Sequence, residues 1–124
     1  MVPRSRVALI RIFAGAVASF LAAASLSAQQ VAQDSAAQVA RGKRVYHEQR
    51  CRVCHAIAGE GNRRYPLDGV GSRLSADTIR LWIVAPREVN PKVRKRAYDQ
   101  LSADDLQALV AFLRGLREPR APGS

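Results

Sequence analysis

The pentapeptide Cys51-Arg52-Val53-Cys54-His55 holds both cysteines of the 124 residues. Two cysteines cannot build a disulfide-rich scaffold, so something else must stabilise the fold. A stretch dense in turn-forming residues follows the pentapeptide and contains Gly59, Gly61, Pro66, Gly69 and Gly71. Because loops this long are unusual in a small domain, we expect them to wrap a group that is not protein.

The spacing of the pentapeptide admits four chemistries. At the end of a helix, Cys51 and Cys54 face the same way and can add to the two vinyl groups of one haem, while His55 presents its imidazole to the iron. A thioredoxin-type redox site needs a βαβ context, and a zinc site would have to recruit His47 and strain two adjacent ligands. A lone disulfide is the fourth possibility. The size of the chain and the preceding amphipathic helix favour one covalent haem c.

The N-terminal segment, residues 1–28, has the layout of a secretory signal peptide. Arg4, Arg6 and Arg11 form a basic start, residues 12–26 carry no charge, and small residues follow. An uncleaved membrane anchor is the alternative, although the apolar stretch is short for a span of about 20 residues. Both interpretations predict that the remainder is extracytoplasmic, for example periplasmic.

The rest of the sequence divides into a mobile polar leader (29–34), a domain (35–118) and a polar tail (119–124). Helical periodicity without strand-like alternation predicts an all-α fold with three main helices joined by long loops. The second helix is expected over 76–84. The candidate caps are Asp34 or Ser35, Ser75 and Ser102. The core-facing residues are expected to be Val39, Val45, Tyr46, Ile79, Trp82, Ile83, Leu106, Leu109, Val110, Leu113 and Leu116.

Residues 35–118 resemble the small soluble class I cytochromes c. Gly42 and Tyr46 match the pair through which the first helix of that family crosses the last, and Leu109 and Phe112 match the receiving face. The resemblance implies a cytochrome c-like fold around one covalently attached haem. It also implies the function of a one-electron carrier.

The resemblance also implies roles for individual residues. Cys51 and Cys54 would attach the haem and His55 would be the axial iron ligand. The candidate haem-pocket residues are Pro66, whose carbonyl would orient His55; Arg73 and Trp82, near the haem propionates; and Tyr98. Packing in the hydrophobic core would account for Trp82, Tyr98 and Phe112 equally well.

The sequence departs from the family at the second axial ligand. Lys95 stands at the position of the usual Met and Arg96 at that of the following Pro, and the single Met of the chain is Met1. Lys95 could bind the iron as a neutral amine, or it could be a solvated charge. Water or an empty position, a ligand from a partner chain, and His47 are the other possibilities.

The chain is strongly basic, with 20 Lys and Arg against 10 Asp and Glu. Basic residues flank the segments expected to border the haem, so the surface would steer acidic redox partners. Nucleic-acid binding is disfavoured by the export signal and the lack of a motif. Anionic lipid headgroups and simple solubility are alternatives.

These features predict an exported monohaem cytochrome that is a monomer and not an enzyme. One alternative is a haem sensor or weak peroxidase with an open or Lys-ligated sixth iron site. The other alternative is a cytochrome subunit of a larger redox complex.

Overall fold

The computed structural model describes residues 29–118, so the expected signal peptide (1–28) and polar tail (119–124) lie outside the described residues. Of the described residues, 29–36 fall in one compact unit and 37–118 in another. Within the described part of the chain, no helix has both the length and the apolar character needed to cross a membrane.

The first helix, α1, covers residues 29–48, so residues 29–34 are helical rather than the mobile leader predicted from composition. Gln and Ala have high helix propensity, and this favours continuation of the helix toward the N-terminus. The Gln30 side chain also donates a hydrogen bond to Asp34 one turn later, at 3.5 Å. Asp34 and Ser35 are therefore both inside the helix, and neither is its cap.

Eight further elements follow α1. They are a 3₁₀ turn (Cys51–Val53), β1 (His55–Ile57), β2 (Glu60–Gly61), β3 (Tyr65–Pro66), α2 (Val70–Arg73), α3 (Ala76–Val84), α4 (Pro86–Val89) and α5 (Ala103–Gly115). The strands form one sheet in the order β2-β1-β3, with β2 antiparallel and β3 parallel to β1. Strands of two or three residues are too short to show alternation in the sequence. The described fold is mostly helical, which confirms the predicted all-α class.

Serine caps set the starts of the two later long helices. The Ser75 hydroxyl accepts a hydrogen bond from the Thr78 N–H at 3.1 Å. The Ser102 hydroxyl accepts one from the Asp105 N–H, also at 3.1 Å. Each bond satisfies a backbone donor that the first helical turn leaves unpaired, so both helices begin where the sequence predicts.

The hydrophobic core forms where α1, α2 and α3 pack around α5. Its buried members are Val45, Tyr46, Val70, Ile79, Ile83, Leu109, Val110 and Leu113. Four residues expected in the core are not fully buried: Leu106 and Leu116 are half-buried against it, Trp82 is half-buried, and Val39 is 37% exposed. Val39 lies one turn before Gly42, the residue at which α1 reaches α5. Full burial of one aliphatic side chain is worth about 1.5–3 kcal/mol, so a core with this few buried side chains supplies limited hydrophobic stabilisation.

The short helix α2 lies against the end of α5. A Cβ on Gly71 would overlap the backbone carbonyl of Arg114, and the Gly71 N–H donates to the Leu116 carbonyl at 2.9 Å. The Arg114 guanidinium in turn donates to the carbonyls of Gly71 and Leu74. These contacts fix the loop that leads from the sheet into α3.

Candidate cofactor site

The two cysteines lie on one tight turn directly after α1. Arg50 reverses the chain with a positive φ of 56°, and the 3₁₀ turn Cys51–Val53 follows. Cys54 ends the turn, with its N–H donating to the Cys51 carbonyl at 3.1 Å, and residues three apart across such a turn can direct their side chains to one side. Both thiols are free, with Cys51 half-buried against the core and Cys54 exposed. The alternative of a lone disulfide is therefore not supported.

His55 is oriented by the neighbouring strand. Its Nδ1 lies 2.9 Å from the carbonyl oxygen of Tyr65. A carbonyl can only accept, so Nδ1 carries the proton and Nε2 keeps its lone pair. The expectation that the Pro66 carbonyl would do this is wrong by one residue, because β1 and β3 pair His55 with Tyr65 and place Pro66 beside Ala56.

Tyr46 binds the backbone carbonyl of His55. Its hydroxyl donates to the His55 carbonyl at 3.3 Å, and the side chain is only 4% exposed. The roles of Tyr46 and Tyr65 toward His55 were missed in the sequence analysis. Tyr46 was identified only as a helix-crossing residue, and no sequence signal marks a carbonyl acceptor such as that of Tyr65. Together the two contacts fix the backbone and the ring of His55.

Lys95 turns inward, whereas Arg94 and Arg96 on either side of it are exposed. Its Nζ donates to the carbonyl of Trp82 at 2.6 Å and to that of Arg96 at 3.2 Å. The Tyr98 ring centroid lies 5.2 Å from the same nitrogen. The interpretation of Lys95 as a freely solvated surface charge is therefore not supported.

Burial perturbs the pKa of all three kinds of group in this region. It raises the pKa of the Cys51 thiol, which the Lys95 charge partly opposes. It lowers the pKa of His55, and the Lys95 charge lowers it further while the Tyr65 carbonyl opposes the shift. It also lowers the pKa of Lys95, against the influence of Cys51 and Cys54. The charges of Lys95 and of the pentapeptide therefore influence one another's protonation.

The zinc alternative finds no geometric support. Across residues 29–118, no group of three or more His, Cys, Asp or Glu side chains is arranged to hold a metal ion. His47 is exposed and lines a surface cavity of about 500 Å³ with Tyr46, Arg52 and Phe112. The cavity lining includes Arg52 and Val53, the two residues between the cysteines, but neither cysteine nor Lys95.

The remaining candidate pocket residues, Arg73, Trp82 and Tyr98, have different surroundings. Arg73 forms an ion pair with Glu118 at 2.8 Å, so its assignment to a haem propionate is not confirmed. The contact forms because α2 lies against the end of α5. Trp82 contributes its carbonyl to Lys95. Tyr98 packs against the core and its hydroxyl lies 3.5 Å from the Gln49 carbonyl.

The assembled groups suit the covalent binding of haem. Two free thiols on one turn can form two thioether bonds, and the imidazole after them keeps an unprotonated nitrogen for iron. The carbonyl acceptor behind the imidazole is the outer contact that orients a metal-binding histidine. Cys51, Cys54 and His55 would therefore hold the group.

Comparison with known proteins agrees with this geometry. Residues 39–117 match the family described as Cytochrome c. A cytochrome c oxidase subunit 2 from Alkalihalophilus pseudofirmus is 29% identical over 86 residues, covering 62% of this chain and 25% of that protein. This chain thus spans about a quarter of that relative's length. With more than half of its residues matched by the family, and with its thiols and histidine placed to bind haem, the chain belongs to the cytochrome c family.

Proposed function

We propose that this protein is an extracytoplasmic monohaem cytochrome that carries single electrons between larger redox proteins. A bound haem supplies one iron centre that exchanges one electron between its ferric and ferrous states. The protein would hold that centre and present it to partners without transforming a substrate. Its membership in the cytochrome c family supports haem binding and electron transfer.

The contact between His55 Nδ1 and the Tyr65 carbonyl carries this proposal. It leaves Nε2 as the nitrogen able to bind iron, and it follows directly on the turn that holds both thiols. The backbone hydrogen bond from Leu67 to Ala56, at 2.8 Å, continues the pairing of β1 with β3. A ligand held from behind in this way moves little between oxidation states, which suits rapid electron exchange.

The mass of the mature protein tests the proposal. The full chain should be produced in a host with haem-ligation machinery and analysed under denaturing conditions. We expect the mass of the polypeptide plus one haem. The Cys51→Ala and Cys54→Ala variants should each keep a single thioether bond, and the double variant should lose haem on acid extraction. A colourless wild-type protein with the mass of the bare polypeptide would refute the proposal.

The charge of the molecule supports acidic redox partners. Exposed arginines flank both halves of the candidate site, with Arg50 and Arg52 around Cys51 and Arg94 and Arg96 around Lys95. Positive charge around a haem-binding region raises the rate of encounter with a negative surface, and salt screens it. The rate of electron exchange with an acidic acceptor should fall with ionic strength. The Arg94→Glu/Arg96→Glu variant should lose more of that rate than Arg117→Glu.

A second candidate function is that of an electron-entry subunit in a larger complex. The similarity to a cytochrome c oxidase subunit 2 favours it, since the matched segment is only part of that longer protein. Size-exclusion chromatography of native membrane and periplasmic extracts separates the two functions. A free carrier elutes at the size of the single chain, and a subunit elutes with its complex.

A further inference from the structure

The inward position of Lys95 needs a physical explanation. Its neighbours Lys92, Arg94 and Arg96 are exposed, so solubility alone does not require an inward amine. Ordering a long side chain costs conformational entropy, and removing an ammonium from water costs more unless it is paired. No carboxylate among the described residues forms a salt bridge with Lys95. Its observed polar partners are the two carbonyls of Trp82 and Arg96.

The carbonyls of Trp82 and Arg96 fix the orientation of Lys95 Nζ. A lysine nitrogen is tetrahedral, and one of its positions is taken by Cε. The hydrogen bonds to Trp82 and Arg96, at 2.6 and 3.2 Å, take two more. The fourth position carries the third proton of an ammonium or the lone pair of a neutral amine. Both carbonyl hydrogen bonds can therefore be kept while the fourth position binds a metal.

The location of the amine complements that of His55. The Tyr98 ring centroid lies 5.2 Å from Lys95 Nζ, and the Tyr98 hydroxyl reaches the Gln49 carbonyl two residues before Cys51, so Lys95 faces the same region as the haem-binding groups. The other candidate ligands are less suitable. Tyr98 has its hydroxyl next to the Gln49 carbonyl at 3.5 Å, and His47 is exposed in a cavity whose lining includes neither cysteine nor Lys95.

We propose that Lys95 Nζ is the second protein ligand of the haem iron, together with His55. This assignment rests on the proposed function, because it requires the haem. Binding would release one proton from the ammonium to solvent and use the nitrogen lone pair for the Fe–N bond, with no change in the oxidation state of the iron. The carbonyls of Trp82 and Arg96 would keep the two remaining N–H groups in place.

The ferric spectrum of the haem-loaded protein tests the assignment, with Lys92→Ala as the matched control from the same basic segment. We expect wild type and Lys92→Ala to be low-spin by electron paramagnetic resonance. Lys95→Ala should become high-spin, and its ferrous form should bind carbon monoxide at least about tenfold more tightly, because no internal ligand competes. Lys95→Met keeps an unbranched side chain with a potential ligand atom, and it should remain low-spin with a higher reduction potential.

Lysine-labelled NMR of the ferrous protein gives a direct readout. The chain has three lysines, Lys43, Lys92 and Lys95, so the first two are internal references. One lysine side chain should show large ring-current shifts, and this signal should vanish in Lys95→Met. A high-spin wild type, an unchanged low-spin spectrum in Lys95→Ala and Lys95→Met, or unshifted lysine signals would overturn the Lys95 assignment alone. Wild-type protein without bound haem would instead overturn the proposed function, and this assignment with it.

Discussion

Gly42 in α1 lies against the backbone carbonyl of Ala108 in α5. A Cβ added to Gly42 would overlap the Ala108 carbonyl oxygen, lie 2.6 Å from its carbonyl carbon and lie 2.7 Å from Phe112 Cβ. The two helices therefore touch through backbone at this point. The Tyr46 and Phe112 rings pack one turn further on, with centroids 5.9 Å apart. Because Cys51 follows just after α1 ends, this crossing also positions the first thiol.

Substitution of Gly42 by Ala should separate the two helices. We expect the free energy of unfolding of the haem-loaded protein to fall by about 1–3 kcal/mol or more, since overpacking of this kind forces backbone shifts. Gly115→Ala is the control, because no atom lies within 4 Å of the added Cβ. That change should be neutral or stabilising by up to about 1 kcal/mol. Equal destabilisation of both variants in chemical unfolding would contradict the close crossing.

Arg114 should contribute to stability through its two backbone acceptors. Arg114→Met keeps much of the aliphatic stem but leaves the carbonyls of Gly71 and Leu74 without this donor. We expect a loss of about 1.5–3 kcal/mol in chemical unfolding, the usual range for a hydrogen bond from a charged group. Arg117→Met, at an exposed position, should change stability by less than about 0.5 kcal/mol. A neutral Arg114→Met would show that the α2–α5 contact does not depend on the guanidinium.

The parts of the structure that depend on local sequence were predictable. Ser75 and Ser102 cap helices three residues before the N–H groups that they accept from, so the information is contained in a few neighbouring residues. The pentapeptide is equally local. Apolar spacing also identified Leu109 and Leu113 as buried residues.

The contacts that depend on tertiary pairing were not predictable. The Tyr65 carbonyl reaches His55 only because β3 pairs with β1 in one particular register. Arg73 meets Glu118 only because α2 lies against the end of α5. The inward rotation of Lys95 depends on the carbonyl of Trp82, thirteen residues earlier. No local pattern encodes a carbonyl acceptor, since every residue has one.

The turn that returns the chain from β1 should depend on Gly61. Its φ is +102°, and an added Cβ would overlap the His55 carbonyl and lie 3.1 Å from that of Arg52. Gly59 is the matched control, since its φ of +80° is also positive but its nearest outside atom is 3.8 Å away. Gly59→Ala should cost about 1–2 kcal/mol from backbone strain alone.

Gly61→Ala should therefore cost more than Gly59→Ala and should also displace His55. We expect the optical spectrum of the haem-loaded Gly61→Ala protein to change, while that of Gly59→Ala stays as in wild type. Chemical unfolding measures the difference in stability, and the ferric absorption spectrum reports the displacement of His55. Indistinguishable variants would show that β2 tolerates a shift without moving the histidine.

The stability of the α1–α5 junction should depend on pH through Asp105. The Ser102 hydroxyl and the Arg41 guanidinium both donate to its carboxylate, each at 2.9 Å, and hold its pKa below the usual 3.8. The folded carboxyl therefore binds its proton less readily than the unfolded one. Its contribution is fully present above pH 3.8 and is lost as the pH falls through the lower folded value.

Asp105→Asn should consequently lower the thermal midpoint at neutral pH, and the difference from wild type should shrink once the pH is below 3.8. Asp104→Asn is the control on the same helical turn, because its carboxylate is 78% exposed and 3.8 Å from Arg41. That variant should lie close to wild type throughout, as expected for a solvent-screened pair. A deficit of Asp105→Asn that stayed constant from neutral to acidic pH would mean that the residue acts through packing and not through its charge.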